Sequence, residues 1–307
     1  MKKIFFCLLS LLLISNTSLS ATELALNWKA EPEFGGFYAA IEILKKQGID
    51  LKVIEGGSSS PTLQMLAAKQ IPYAIVNGDE LITARDRGMD LVAIFAVYQG
   101  NPLGIMVRDD SPWKSIEQLV HAPEATIAAQ LGAPYVSFLK KKYPDMKAKL
   151  VPYQGGIGPF LSQKNYAQQC FLTAEPLAAN KAGVKTRGFS LDDVGFSPYL
   201  AVLAVHRDTI KQKRAEIGPL IAGIRQGWEN YLQNPTPANK LMFKINPSMT
   251  LETFEESGRA QLKFVKPTKD FAIGTMTKDR WKNLSQQLKE LGLIKSIQSP
   301  ENYFENF

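Results

Sequence analysis

Glu175 is the carboxylate whose surroundings most suggest chemistry. It follows the apolar, strand-like run Cys170 to Thr173 and precedes Pro176, so it falls at a strand end or in the first turn of a helix. A carboxylate there can accept two hydrogen bonds from an amidine-like N–H pair. The plainer reading is a helix-start Glu that complements the helix dipole, and position alone favours it. Trp28 and Phe34 lie on the glycine-rich stretch Asn27 to Gly36. An aromatic side chain there can stack on a flat ligand ring or pack into the protein. Other polar candidates sit where strand-like runs give way to helix-like ones: Ser58, Ser59 and Ser60 before Pro61, Asn77 and Asp79 after Val76, and Gln130 with Tyr135. Free N–H groups at helix starts suit polar or anionic ligand atoms, although serines there are more commonly plain caps. Tyr38 and Tyr199 complete the candidate set.

Catalytic constellations are poor. There is no G-x-S-x-G, H-E-x-x-H or P-loop pattern. The two histidines, His121 beside Pro123 and His206 beside Arg207 and Asp208, have no nucleophile next to them. Two cysteines and two histidines exclude a disulfide scaffold and most Cys/His zinc sites. No cofactor and no metal is expected.

The elements that must position these residues come from a chain of 307 residues, long enough for about two domains. Strand-like and helix-like segments alternate: strands at 23–27, 51–54, 73–76 and 91–97, helices at 37–46, 61–69 and 80–87. Such alternation implies a mostly parallel sheet covered by helices. Ser59 or Ser60 reads as the cap of the helix opening at Pro61. The turn Asp109-Asp110-Ser111-Pro112 restarts the alternation, with strands at 125–129, 150–153, 170–173, 186–189 and 199–206 and a helix at 134–142. Helices then dominate, at 209–233, 237–243, 251–264 and 278–291. The strands Gly104 to Arg108 and Ala201 to His206 bracket the second unit. The chain should therefore cross between two units twice, with residues 21–108 plus 206–307 forming one lobe and 109–205 the other. A crevice would lie between the lobes, outside strand C-terminal ends.

The first twenty residues read as a cleaved signal peptide: Lys2 and Lys3, an apolar run from Ile4 to Ile14, then small residues before Ala21. Eleven apolar residues are too few to span a bilayer. Cys7 lies early in that run, which argues against a lipoprotein anchor. Cleavage leaves Cys170 alone, expected as a buried small hydrophobe. The net charge of +7 is spread among acidic residues, and its densest clusters fall on helix-like faces, so no nucleic-acid partner is implied.

The opening Leu26-Asn27-Trp28-Lys29-Ala30-Glu31-Pro32-Glu33-Phe34-Gly35-Gly36-Phe37-Tyr38-Ala39-Ala40 resembles that of periplasmic solute-binding proteins for thiamine-pyrimidine precursors and alkanesulfonates. The same superfamily holds the fungal enzyme that makes the thiamine pyrimidine. Similarity continues through Gly48-Ile49-Asp50, Ala84 to Gly88, Ala174-Glu175-Pro176, Leu200 to Asp208 and Trp281 to Leu293, and so covers nearly all of the chain after residue 20. The resemblance implies a two-lobed, type II periplasmic binding protein of α/β class, with mixed, mostly parallel sheets and two crossover strands as hinge. It also implies a periplasmic monomer that hands a small molecule to an inner-membrane ABC permease and its ATPase. By motif, Trp28 and Glu175 correspond to residues that contact an aminopyrimidine. Departures are informative: Phe34 stands where such binders often have histidine, Val76 where the enzyme carries a lysine, and Phe196 to Leu200 lacks the enzyme's cysteines. The expectation is therefore a binder of a hydroxymethylpyrimidine or formylaminopyrimidine. The alternatives are a taurine-like sulfonate held at Ser58 to Ser60 and Ala133-Pro134, a flavin-type vitamin, or an exported enzyme.

Overall fold

Short apolar runs of four to six residues become strands, and the segments at helical spacing become helices. The computed structural model describes residues 21–57 and 60–307. The expected signal peptide, Ser58 and Ser59 lie outside the described residues. The first unit runs β1 (Thr22–Ala25), α1 (Gly35–Lys46), β2 (Leu51–Ile54), α2 (Thr62–Ala67), β3 (Tyr73–Val76), α3 (Gly78–Asp86) and β4 (Leu91–Ala96). The second runs β5 (Leu103–Arg108), α4 (Ile116–Val120), β6 (Thr126–Ala129), α5 (Pro134–Lys142), β7 (Lys149–Pro152), α6 (Gly158–Ser162), β8 (Tyr166–Phe171), α7 (Glu175–Lys181) and β9 (Thr186–Ser190). After β10 (Val202–His206) come five helices: α8 (Arg207–Gln233), α9 (Thr236–Ile245), α10 (Leu251–Ala260), α11 (Leu262–Val265) and α12 (Lys278–Glu290).

The strands form two five-stranded sheets of the same design, ordered β2-β1-β3-β10-β4 and β7-β6-β8-β5-β9. In each, three parallel strands are followed by one antiparallel strand arriving from the other unit: β10 between β3 and β4, β5 between β8 and β9. The division expected at 108/109 and 205/206 is corrected by this pairing. β5 belongs to the second sheet and β10 to the first, so the chain crosses before each strand, within 97–102 and 195–201, and the crossings are short connections rather than strands. The physical reason is burial: Val202 to Val205 have almost no exposure, which only a central place in the first sheet provides. The short helices α4 and α6 were not foreseen; α4 is capped by Ser115 Oγ, which accepts the Gln118 N–H at 3.1 Å.

The helical tail packs on the first sheet. α8 lies against α1 so closely that a Cβ on Gly36 would sit 2.1 Å from Trp228, and one on Gly227 2.4 Å from the Gly36 carbonyl oxygen. The C-terminal residues close the open edge of β4, with Tyr303 and Gly274 carbonyls accepting the N–H groups of Ala93 and Ala96, which keeps that edge from pairing with other chains. α12 reaches both crossings. Its Arg280 donates to the carbonyls of Gln99 at 2.5 Å, Ser197 at 3.2 Å and Pro198 at 2.8 Å, and its guanidinium lies 4.0 Å from the Tyr199 ring centroid. Among the described residues no helix is long and apolar enough to cross a membrane. Cys170 is a buried free thiol.

Candidate functional site

The segment after β1 is tied down from behind. Glu55 accepts the Ala30 N–H at 3.0 Å, and Gly56 donates its N–H to the Trp28 carbonyl at 2.9 Å. Gly56 is required here, because a Cβ would meet the Leu26 carbonyl oxygen at 2.1 Å. Anchored in this way, the half-buried Trp28 faces a cavity of about 630 Å³ between the lobes, within the range of small-molecule sites. Glu31 lines the cavity from the same segment. The opposite wall is the loop Tyr153 to Ile157 after β7, together with Glu175, Ala178 and Lys181 of α7. Thr250 and Thr253, at the start of α10, close a third side.

Glu175 is the first residue of α7. Its carboxylate accepts the Phe171 N–H at 2.7 Å and the Tyr153 hydroxyl at 3.2 Å, and its own backbone N–H as well. A carboxylate offers about four acceptor positions, so roughly one is left for a ligand. The helix-start role and the ligand-facing role therefore coexist in one side chain. The pairing open to a ligand is a single hydrogen bond rather than the two that the amidine match assumed.

The electrostatics are acidic. Burial, and then the Glu175 charge, push the Glu31 carboxyl up to about 7. Burial, with Glu31 and Glu175 nearby, raises Glu33 well above the carboxylate range. Burial also raises Glu175, against the lowering effect of its hydrogen bonds. The fold thus favours the protonated carboxyl of Glu31. Its contribution to stability is full below the ordinary value of 4.5 and is lost as pH rises through about 7. Differential scanning calorimetry of the ligand-free protein should show melting temperature falling from about pH 5 to about pH 7.5, and Glu31→Gln should flatten that fall. Asp79, buried and likewise pushed up to about 7, and the raised Glu33 and Glu175 leave a residual slope that Asp79→Asn should reduce further.

Of the described residues singled out from sequence, Trp28 and Glu175 are brought together across this cavity; the others that are described are placed elsewhere. Phe34 and Tyr38 are 1 % and 3 % exposed and belong to the core under α1 and α8; among the described residues the Tyr38 hydroxyl has no hydrogen-bond partner. Tyr135 is buried, and its hydroxyl donates to Gln169 at 2.7 Å, while Gln130 donates its N–H to the same oxygen. Tyr199 is buried, and its hydroxyl accepts the Thr277 N–H at 3.0 Å. Asn77 caps α3, its N–H held by Glu80, and buried Asp79 accepts the Glu80 N–H. Ser60 does not cap α2, which starts at Thr62 behind Pro61 with no side-chain cap. Sequence reasoning missed Glu31, Tyr153, Lys181 and Thr253. Tyr153 carried a usable signal, being at the C-terminal end of a strand in an α/β unit. Glu31 stood inside the opening motif unremarked.

Two lobes with matching sheets, joined by two crossings and enclosing a cleft, define the two-lobed binding-protein fold. The family model described as NMT1/THI5 like matches residues 31–238, and the chain belongs to that family. Among curated proteins, none matches the sequence. Solved structures match in fold. The periplasmic aliphatic sulphonate binding protein SsuA from Escherichia coli is 15 % identical with a TM-score of 0.69, covering 92 % of this chain and 97 % of that one. The alkanesulfonate-binding protein SsuA from Xanthomonas axonopodis, bound to MOPS, is 10 % identical with a TM-score of 0.68, covering 94 % and 99 %. A zinc-bound ligand-binding component of an ABC-type import system from Staphylococcus aureus is 9 % identical with a TM-score of 0.69, covering 93 % and 97 %. Among the described residues here, no group of three or more His, Cys, Asp or Glu is placed to hold a metal ion.

Proposed function

We propose that this chain is the substrate-binding component of an ABC importer and captures a thiamine-pyrimidine precursor between its lobes. The precursor is of the hydroxymethylpyrimidine or formylaminopyrimidine type. The protein works in the periplasm as a monomer, delivered by the N-terminal signal, and passes its ligand to an inner-membrane permease powered by an ATPase. It is a binder, not an enzyme. The observation that carries the reading is the meeting of Trp28 and Glu175, from opposite lobes, across one cavity. A flat aminopyrimidine placed there stacks on the indole and donates an amine hydrogen to the remaining acceptor position of Glu175. Closure of the lobes around it is hinge motion about the two crossings. The sulfonate alternative finds less support: the cavity presents carboxylates to an anion, and neither Ala133 nor Pro134 lines it.

Thermal-shift titration of residues 21–307 with hydroxymethylpyrimidine and with taurine tests this. Ligand at a hundredfold over its Kd should add about 2.7 kcal/mol of stability, and only the pyrimidine should do so. Glu175→Gln should weaken pyrimidine binding by roughly 1–3 kcal/mol, the usual cost of spoiling a hydrogen bond to a charged group. A shift with taurine alone would overturn the reading, and an unchanged affinity in Glu175→Gln would remove Glu175 from the site.

A further inference from the structure

We propose that the cleft is built for a ligand carrying a positive charge on or beside its flat ring, and that Glu31 is the residue that reads this charge. The inference rests on the reading that the cavity beside Trp28 is the ligand site, and it narrows the ligand's chemical class.

Glu31 and Glu175 line the cavity from opposite lobes. Glu33 follows two residues on, close enough that Glu31 and Glu175 both raise its pKa. Glu55 stands behind the segment, holding the Ala30 N–H. Two cations face this group. Lys29 is exposed at the rim. Lys181 is engaged elsewhere, with its Nζ 3.1 Å from Glu252 and 3.3 Å from Glu256. Among the described residues, the ion pairs of neighbouring segments, such as Lys52 with Glu23 and Lys181 with its two glutamates, leave Glu31, Glu33 and Glu175 without a basic partner within 4.0 Å. The remaining titratable neighbours, Tyr153 and Tyr98, carry no positive charge. Ionised together, these carboxylates repel one another in a poorly solvated cleft, so the ligand-free fold favours the protonated forms of Glu31 and Glu33, and among the described residues no basic side chain within 4.0 Å holds them ionised.

Two further features make this an arrangement for a cation. Glu31 is oriented rather than free: Asn246, 7 % exposed, donates to the Glu31 carboxylate at 3.3 Å and to the Ala30 carbonyl at 3.4 Å. A neutral amide holds the carboxylate in place without cancelling its charge. The walls beside it are Trp28 and Tyr153, and aromatic faces attract cations, indole most strongly. A ligand bearing an ammonium or amidinium group next to a flat ring would satisfy the aromatic wall and the carboxylates together. A neutral ring would do nothing to favour the ionised carboxylates.

Two pairs of near-isosteric probes, differing in charge, separate this inference from the functional reading. The first pair is 4-amino-5-aminomethyl-2-methylpyrimidine, cationic at neutral pH, and its neutral 5-hydroxymethyl analogue. The second pair is benzamidine, cationic and unrelated to thiamine, and neutral benzamide. Isothermal titration calorimetry should show the aminomethylpyrimidine binding about tenfold or more tightly than the hydroxymethyl compound, the scale of one charge-assisted hydrogen bond. Glu31→Gln should collapse that ratio to near unity. Equal affinity for the two pyrimidines overturns the inference and leaves the pyrimidine reading standing. Benzamidine binding over benzamide with neither pyrimidine bound supports the inference and overturns the pyrimidine reading. Absence of a cation preference in both pairs, or a preference unchanged in Glu31→Gln, overturns the assignment to Glu31.

Discussion

Arg280→Ala should lower the unfolding free energy by about 3 kcal/mol or more. The guanidinium of Arg280 serves three carbonyls that belong to both inter-lobe crossings: Gln99 in the first, Ser197 and Pro198 in the second. These groups sit where the chain has left one sheet and not yet entered the other, so no strand partner supplies their hydrogen bonds. Hydrogen bonds to charged groups contribute about 1.5–3 kcal/mol each, and groups left unsatisfied on burial cost a comparable amount. The three share one donor group, so their losses should not simply add. Removal of the side chain also strips the Tyr199 ring of its cation, worth about 0.5–2 kcal/mol. For a chain of this size about 1 kcal/mol moves the melting temperature by roughly 2–4 °C, so a fall of about 6 °C or more is expected by calorimetry. Arg280→Lys should recover only a small part, because a single ammonium lacks the planar fork that reaches separate carbonyls. A melting temperature within about 1 °C of the parent would show that water satisfies the three carbonyls equally well. Because Arg280 does not line the cavity, any change in ligand affinity in this variant reports on the hinge rather than on contact.

Gly36→Leu should be of similar or greater size, through packing rather than hydrogen bonding. The first turn of α1 presses Gly35 and Gly36 against Tyr231 and Trp228 of α8, and a Cβ at Gly36 would fall 2.1 Å from the indole. On the other side Gly227 brings α8 down onto the Gly36 carbonyl. Trp228 and Tyr231 have no exposure and touch neighbouring rings edge to face, Trp228 with Phe37 at 5.8 Å and with Tyr231 at 5.7 Å, so they have little room to yield. Overpacking typically costs about 1–3 kcal/mol and occasionally more; the backbone-level approach here puts Gly36→Leu at or above about 3 kcal/mol. Soluble yield and melting temperature give the readout. Gly132→Ala is the matched control: nothing lies within 4 Å of its added Cβ, and it should stay within about 0.5 kcal/mol of the parent. If both variants melt alike, helix contact is not what the paired glycines provide.

The same glycines show where a sequence reading stops. At the end of Asn27 to Gly36, Gly35 and Gly36 look like part of a ligand loop, yet both are helix residues that admit α8. That partner lies nearly two hundred positions away, so no local pattern could announce it. Phe34, Tyr38, Tyr135 and Tyr199 do not line the cavity, for a related reason. An aromatic at a helix or strand end can face a cleft or a core, and the choice depends on which distant helix covers it. For Tyr199 that helix is α12; for Phe34 and Tyr38 the core is shared with α8. Trp28 and Glu175 were legible because both follow strand C-terminal ends, where α/β sheets open onto their crevice. Glu31 was not, because a surface carboxylate and a cleft carboxylate have the same sequence; the difference lies in the buried Asn246 and the opposing Glu175.

Local periodicity determined what this chain is made of. The alternation of short apolar runs with helical segments set the α/β class, the restart after Asp109 set two units, and the opening motif pointed to the family. These are short-range properties, since side-chain period and turn chemistry act over a few residues. Tertiary structure alone decided which sheet received β5 and β10, why the opening glycines are there, and which carboxylates meet across the cleft. Each of those outcomes depends on contacts between segments far apart in the chain. Burying the apolar faces of β10 and α8 against their distant partners is what selects them.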